Sequence, residues 1–128
     1  MKYLKKFEHT VTKLDYSNSH LTELPELPDT LEYLNCSYNK LTELPKLPDT
    51  LQELYCYSNF LTELPILPGS LQYLSCSDNK LTELPLLPDS LVFLSCEGNN
   101  LPYNNLTEYK KWLKRNHPEV INAKKFNI

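Results

Sequence analysis

The sequence repeats with a fixed period of twenty residues, and this period limits the possible folds more than any other feature. Residues 31–50 read LEYLNCSYNKLTELPKLPDT, and the same pattern returns at residues 51–70 and 71–90. Residues 11–30 are a looser copy, and residues 91–101 match the first half of another. A copy of this length cannot bury its own apolar face, so neighbouring copies must stack and share a core. The period therefore predicts a solenoid of about five repeats.

Each copy predicts one short strand followed by a return segment without a helix. Alternation around the second leucine of each copy places that leucine inward and its two neighbours outward. The strands of successive copies then form a parallel sheet on the concave side. Each return segment contains PxLP, and proline fixes φ and donates no hydrogen bond. We therefore expect an extended, polyproline-like convex side.

The residues of the copies fit LxxLxLxxNxLxxLPxLPxx, with cysteine at the third apolar position, and this pattern resembles the leucine-rich repeat. The LPxLP half is similar to the short repeats of bacterial effectors of the YopM and IpaH type, and to repeats in proteins of giant viruses that infect amoebae. The resemblance implies a right-handed coil with a concave parallel β-sheet. It also implies a viral or bacterial protein that acts in the host cytoplasm and binds a protein, with host proteins as the candidate partners.

Both ends of the chain depart from the repeat, and we expect both to cap it. Residues 1–10 match the second half of a repeat without its prolines, which predicts an N-terminal half-repeat cap. Asn105 followed by Glu108 is a capping box that predicts the start of a helix. The apolar stripe of this helix should cover the last turn of the solenoid; it consists of Leu106, Tyr109, Trp112 and Leu113. The predicted organisation is the N-terminal cap, the solenoid at 11–101 and a C-terminal helical cap at 102–128.

Two polar columns recur once per copy, and we interpret both as structural. An asparagine side chain after each strand can satisfy backbone groups in the bend; this ladder is Asn39, Asn59, Asn79 and Asn99. A cysteine column points toward the core and consists of Cys36, Cys56, Cys76 and Cys96. No CxxC pair or histidine partner accompanies the cysteines, so reduced, buried thiols are favoured over zinc ligands. Disulfides between neighbouring copies are the alternative.

The charge distribution and the missing motifs exclude several functions. Residues 14–108 carry a net charge of −11, whereas residues 1–13 carry +3 and residues 109–128 carry +5. An acidic solenoid repels nucleic acid along most of its length. The chain has no apolar run typical of a membrane span or a signal peptide, and no glycine-rich phosphate loop. We therefore expect no catalytic residues, no metal, no cofactor, and no nucleic-acid or membrane partner. The cytoplasmic location is an expectation that the resemblance implies.

The candidate binding site is an aromatic patch on the concave face. Its outward residues are Tyr33, Glu53, Tyr55, Tyr57, Tyr73 and Phe93. Aromatic anchors rimmed by polar groups are typical of protein interfaces, which predicts a non-enzymatic module that binds a protein partner. Alternatively, the rings only stack on one another and stiffen the sheet. The alternative function is a structural or assembly protein, a monomer or weak homodimer, that makes homotypic contacts through its N-terminal edge strand or its ends.

Overall fold

The computed structural model describes residues 10–121, which form five short parallel strands followed by one helix. The elements are β1 (Lys13–Asp15), β2 (Tyr33–Asn35), β3 (Glu53–Tyr55), β4 (Tyr73–Ser75), β5 (Phe93–Ser95) and α1 (Leu106–Asn116). The strands lie in one sheet in their order along the chain. The predicted solenoid with a parallel sheet is therefore confirmed.

The register between strands follows the twenty-residue period without offset. Leu34 pairs with Leu54, and Leu54 pairs with Leu74. Parallel strands usually need a helix to connect them, but here each return segment contains only turns and irregular chain. The carbonyl of the second proline in each return accepts a turn hydrogen bond, as from Leu51 N–H to Pro48 at 3.1 Å. The return is thus narrow enough for strands of successive copies to pair directly.

Leucines of the second, third and fourth copies form the centre of the core. Nine are fully buried: Leu31, Leu34, Leu41, Leu51, Leu54, Leu61, Leu71, Leu74 and Leu81. Burying one such side chain contributes roughly 1.5–3 kcal/mol. Because equivalent leucines stack on one another along the solenoid, every copy depends on its neighbours for this burial.

Helix α1 packs against β5 and covers the C-terminal end of the stack. Asn105 Oδ1 accepts a hydrogen bond from Glu108 N–H at 2.9 Å, and Glu108 Oε1 accepts one from Asn104 N–H at 2.9 Å. The return bond of the capping box therefore reaches the residue before the N-cap. Tyr109 and Leu113 are buried in the core, while Leu106 and Trp112 pack against it half-buried. The helical cap is thus confirmed.

Parts of both predicted caps lie outside the described residues. These are residues 1–9 of the N-terminal half-repeat and residues 122–128 of the C-terminal cap. The limits of the three predicted domains therefore stay predictions. The helical segment does continue past α1, because residues 118–121 form a further helical turn.

Candidate functional site

The outward side chains of β2 to β5 form two rows on the concave face. The strand register aligns Tyr33 with Glu53, Glu53 with Tyr73, and Tyr73 with Phe93. Tyr55 lies in the neighbouring row, opposite Asn35 and Ser75; these pairings run across β2, β3 and β4. The inward leucine between the rows fixes the direction of each outward side chain, because strand residues alternate between the two faces.

The four concave rings contact one another as two pairs. The ring centroids of Tyr33 and Tyr55 are 5.5 Å apart, with an angle of 46° between the ring planes. Those of Tyr73 and Phe93 are 6.4 Å apart, with an angle of 36°. Both distances lie within the range of favourable aromatic contacts. The predicted aromatic patch is therefore organised as one pair of rings on β2 and β3 and another on β4 and β5.

Glu53 and Tyr55 are joined by a hydrogen bond at the centre of this face. Tyr55 Oη donates to Glu53 Oε1 at 2.7 Å. Desolvation of the phenol, together with this bond to a carboxylate, raises the pKa of Tyr55 well above its ordinary value. Tyr55 therefore stays protonated and donates throughout the physiological range, which holds the Glu53 carboxylate in one orientation.

The rings differ in how far solvent reaches them. Tyr33 and Tyr55 are half-buried, whereas Tyr73 is 40% exposed and Phe93 is 46% exposed. Val92, which sequence reasoning did not select, is 63% exposed beside Phe93. The sequence did contain an indication that Val92 is exposed, because the equivalent position holds a polar residue in the second, third and fourth copies. The accessible apolar surface is thus concentrated at the C-terminal end of the sheet.

Tyr57 lies in a second aromatic group, in the loops that follow the strands. Its ring packs edge-on against Tyr38, with centroids 5.3 Å apart. Phe60 is exposed in the same set of loops, and Lys80 Nζ lies 6.0 Å from its ring centroid. Sequence reasoning missed Tyr38 and Phe60. An aromatic residue at positions where the other copies carry small, polar or charged residues was the available signal.

The asparagines after the strands are used by the backbone. Leu41 N–H donates to Asn59 Oδ1 at 3.1 Å, and Asn59 Nδ2 donates to the carbonyls of Cys36 and Cys56 at 3.1 Å each and of Tyr57 at 3.3 Å. The same pattern recurs at Asn39, Asn79 and Asn99. With at least four bonds to the main chain, each amide holds two successive copies together, and little of its capacity is left for a ligand.

The cysteines form a column of free thiols inside the core. Cys36, Cys56, Cys76 and Cys96 are all unpaired and fully buried. Burial raises the pKa of the Cys36 thiol to about 12 and of the Cys96 thiol to about 11. Thiolates are the reactive and metal-binding form, so these side chains act as small apolar groups at neutral pH.

Residues 10–121 form neither a metal-binding cluster nor a membrane-spanning helix. No group of three or more His, Cys, Asp or Glu side chains in that part of the chain is placed to hold a metal ion. No helix formed by the same residues combines the length and apolarity needed to cross a membrane.

Comparison with known proteins identifies several relatives. The family model described as Leucine Rich Repeat matches residues 30–49 and 70–94. YopM from Yersinia enterocolitica WA-314 is similar, with a TM-score of 0.71 and 39% identity over 74% of this chain and 23% of YopM. The leucine-rich repeat domain of a Shigella effector has a TM-score of 0.70 and 42% identity over 77% of this chain and 44% of that domain. No curated protein sequence matches. The chain spans less than half of either structural relative.

Proposed function

The chain is a leucine-rich repeat protein of the bacterial-effector-like type, and from this premise we propose that it binds a protein partner on its concave face. The leucine-rich repeat fold supports a protein-interaction module in general terms. The finer proposal concerns the place and the residues: the concave aromatic patch, with Tyr73 and Phe93 as its accessible anchors.

One observation carries this proposal, namely the exposed apolar surface on β4 and β5. Tyr73, Phe93 and Val92 are all exposed on successive strands or next to them. Large exposed apolar groups that lie together typically mark interaction sites. Tyrosine is also enriched among the residues that dominate binding energy. Serines and acidic residues around the patch supply the polar rim that such interfaces have.

The proposed role is non-enzymatic, because leucine-rich repeat proteins generally act as scaffolds without catalysis. A cytoplasmic location, in a host cell if the protein is an effector or viral, is proposed from the likeness to bacterial effectors. The acidity of the solenoid supports a protein partner over a nucleic acid. Homotypic assembly as a monomer–dimer equilibrium stays a prediction, which sedimentation velocity over a concentration series can test.

The proposal is tested with matched double variants on the two faces. The full chain serves as bait in a host-cell lysate, and the captured protein is then purified for affinity measurements. Tyr73→Ala with Phe93→Ala removes the concave anchors. Ile66→Ala with Leu86→Ala removes two convex apolar side chains that are 88% and 59% exposed.

We expect the concave variant to weaken binding by about 2 kcal/mol or more, and the convex variant to bind like the unaltered chain. Thermal melts show whether either variant has lost stability. If the concave variant binds normally, the concave site is wrong. If it loses stability and affinity in parallel, the rings serve chiefly to stiffen the sheet.

A further inference from the structure

We propose that the concave face binds an arginine side chain of the partner, with its guanidinium paired to the Glu53 carboxylate and stacked on the ring of Tyr73. This inference rests on the proposed function and specifies the chemistry of the same site. It predicts that the partner presents a basic, arginine-bearing segment to the sheet.

Glu53 lies between two aromatic residues of the neighbouring strands. Glu53 pairs in register with Tyr33 on one side and with Tyr73 on the other. Neighbouring strands lie about 4.8 Å apart, so an aromatic side chain flanks the carboxylate on each side. A flat cation that reaches the carboxylate from the concave side therefore meets a ring face as well.

The Glu53 carboxylate has unused hydrogen-bonding capacity. One of its oxygens accepts the Tyr55 hydroxyl, and this bond orients the carboxylate. No basic side chain in the described part of the chain lies within ion-pair distance of it. An ionised carboxylate can accept about four hydrogen bonds. Glu53 is thus a half-buried, oriented anion that makes no ion pair with residues 10–121.

One ring in the row of Tyr33, Glu53 and Tyr73 already has a cation beside it. Lys13 Nζ lies 5.2 Å from the centroid of the Tyr33 ring, a distance typical of cation–π contacts. The Tyr33 ring therefore already has a cation beside it. Tyr73, on the other side of Glu53, is the more exposed of the two rings. The accessible cation position is consequently the one between Glu53 and Tyr73.

The shape of the site favours arginine over lysine. A guanidinium is planar, so it can donate to a carboxylate through two N–H groups while one face lies on an aromatic ring. An ammonium group makes a point contact and is more strongly hydrated. Long-range charge favours any basic segment on this face, because acidic side chains outnumber basic ones at the outward strand and adjacent loop positions. The acidic residues there are Asp15, Glu32, Glu53, Asp78 and Glu97, and the basic ones are Lys13, Lys40 and Lys80.

The test uses a minimal probe on the full chain. N-acetyl-arginine amide is titrated into the isotopically labelled protein while backbone amide shifts are recorded by NMR. N-acetyl-citrulline amide is the uncharged isostere, and N-acetyl-lysine amide carries the same charge without the planar group. We expect saturable shifts centred on residues 53, 55 and 73 with arginine, weaker ones with lysine, and none with citrulline.

Variants locate the site. Glu53→Gln should weaken arginine binding at least about fivefold, because it removes the charged acceptor. Tyr73→Leu keeps apolar bulk but removes the ring and should weaken binding about two- to fivefold. Glu63→Gln, an exposed convex glutamate, is the matched control and should change nothing. Spectra of each variant without ligand show that its fold is retained.

Shifts spread evenly over acidic residues of both faces, or equal binding of lysine and arginine, would overturn the inference. Its failure is distinguishable from failure of the proposed function. If arginine does not bind but the captured partner still depends on Tyr73 and Phe93, only the arginine chemistry is wrong. If arginine binds at Glu53 while the partner ignores those two rings, the concave protein-binding site is wrong.

Discussion

The first and third copies of the repeat share one leucine pattern but differ in how their leucines are buried. Leu14 in the first copy is half-buried, whereas its counterpart Leu54 is fully buried. The first copy also has Ser19 where the third has Asn59. Ser19 is exposed and Asn59 is buried. The repeat motif alone therefore does not determine the stability of a copy, since burial and hydrogen bonding also require neighbouring copies and the ladder asparagine.

The loops that follow β1 and β3 also differ, both in backbone conformation and in how they are held. The third copy has one residue with left-handed backbone, Ser58 with φ of 56°, whereas the first has two, Asn18 at 53° and His20 at 56°. The first loop is held from the next copy, because Ser19 N–H and Leu21 N–H both donate to Asn39 Oδ1 at 3.0 and 2.9 Å. It therefore receives the ladder amide of its neighbour, while its own ladder position carries only a hydroxyl.

The strongest test of this comparison removes equivalent leucines. Leu54→Ala should lower the free energy of unfolding by about 3–5 kcal/mol, because it leaves a cavity at the centre of the stack. Leu14→Ala should cost less than about half as much, since its side chain is only half-buried. Urea denaturation followed by circular dichroism measures both. Equal losses would show that the end copy is packed as tightly as the interior.

The ladder position gives the second test. Asn59→Ala leaves the N–H of Leu41 without its side-chain acceptor and removes one of the two asparagine donors from each of the carbonyls of Cys36 and Cys56, and should cost about 1–3 kcal/mol. Ser19→Ala at the equivalent exposed position should cost under about 0.5 kcal/mol. The same denaturation series compares them. A large loss from Ser19→Ala would contradict the assignment of the first loop as an open end of the ladder.

Two interior copies can be compared through one serine position. Ser77 Oγ shares a hydrogen bond of 2.7 Å with Ser95 Oγ, whereas Ser37 Oγ is the one buried side-chain polar atom of the described residues without a hydrogen-bond partner. Ser77→Ala should therefore destabilise by about 1 kcal/mol, while Ser37→Ala should be neutral or slightly stabilising. Thermal melts of both variants measure this difference in stability. If Ser37→Ala costs as much as Ser77→Ala, the hydroxyl of Ser37 has a partner in solution.

The smallest effect concerns pH and the turn after the first strand. Hydrogen bonds from the Ser17 hydroxyl and N–H, at 2.6 and 2.9 Å, hold the pKa of Asp15 below its ordinary value of 3.8. A carboxyl whose pKa is lower in the folded state stabilises above its unfolded pKa, and this stabilisation is lost as pH falls through the folded pKa. Asn35 makes the equivalent bond to Ser37 N–H at 3.0 Å without titrating.

Asp15→Asn should therefore lower the melting temperature at pH 7 by no more than about 2 °C, and the difference should shrink below about pH 4. Melts at several pH values measure it, and an NMR titration of Asp15 checks the direction of its pKa directly. A difference that stays constant down to pH 2 would mean that the charge of Asp15 contributes nothing.

The fold followed from the sequence because each of its determinants recurs at a fixed spacing. The inward leucines, the parallel register and the helix that begins at Leu106 are all consequences of local periodicity and capping residues. The side-chain partners within the site were less predictable. Tyr57 contacts Tyr38, whose backbone has φ of 58°. An aromatic residue rarely adopts that conformation, so the direction of its ring could not be inferred from the period.

The pairing of the concave rings also depends on detail that the period does not contain. Whether a tyrosine contacts its neighbour ahead or behind depends on rotamers and on the bond between Tyr55 and Glu53. Val92 was missed for a simpler reason, because only the two residues that flank each inward leucine were considered outward. The position before them is exposed as well.

The zero-offset register has a mechanical consequence. Each interior copy is held by the copies next to it, through strand pairing, ladder amides and shared leucine packing, so a force applied to the two ends of the chain should detach copies one after another. Each detached copy exchanges about 4.8 Å of stack height for about 66–72 Å of extended chain. A force–extension trace should therefore show a series of steps of equal length, which makes the solenoid an extensible tether whose increments are set by the length of its repeat.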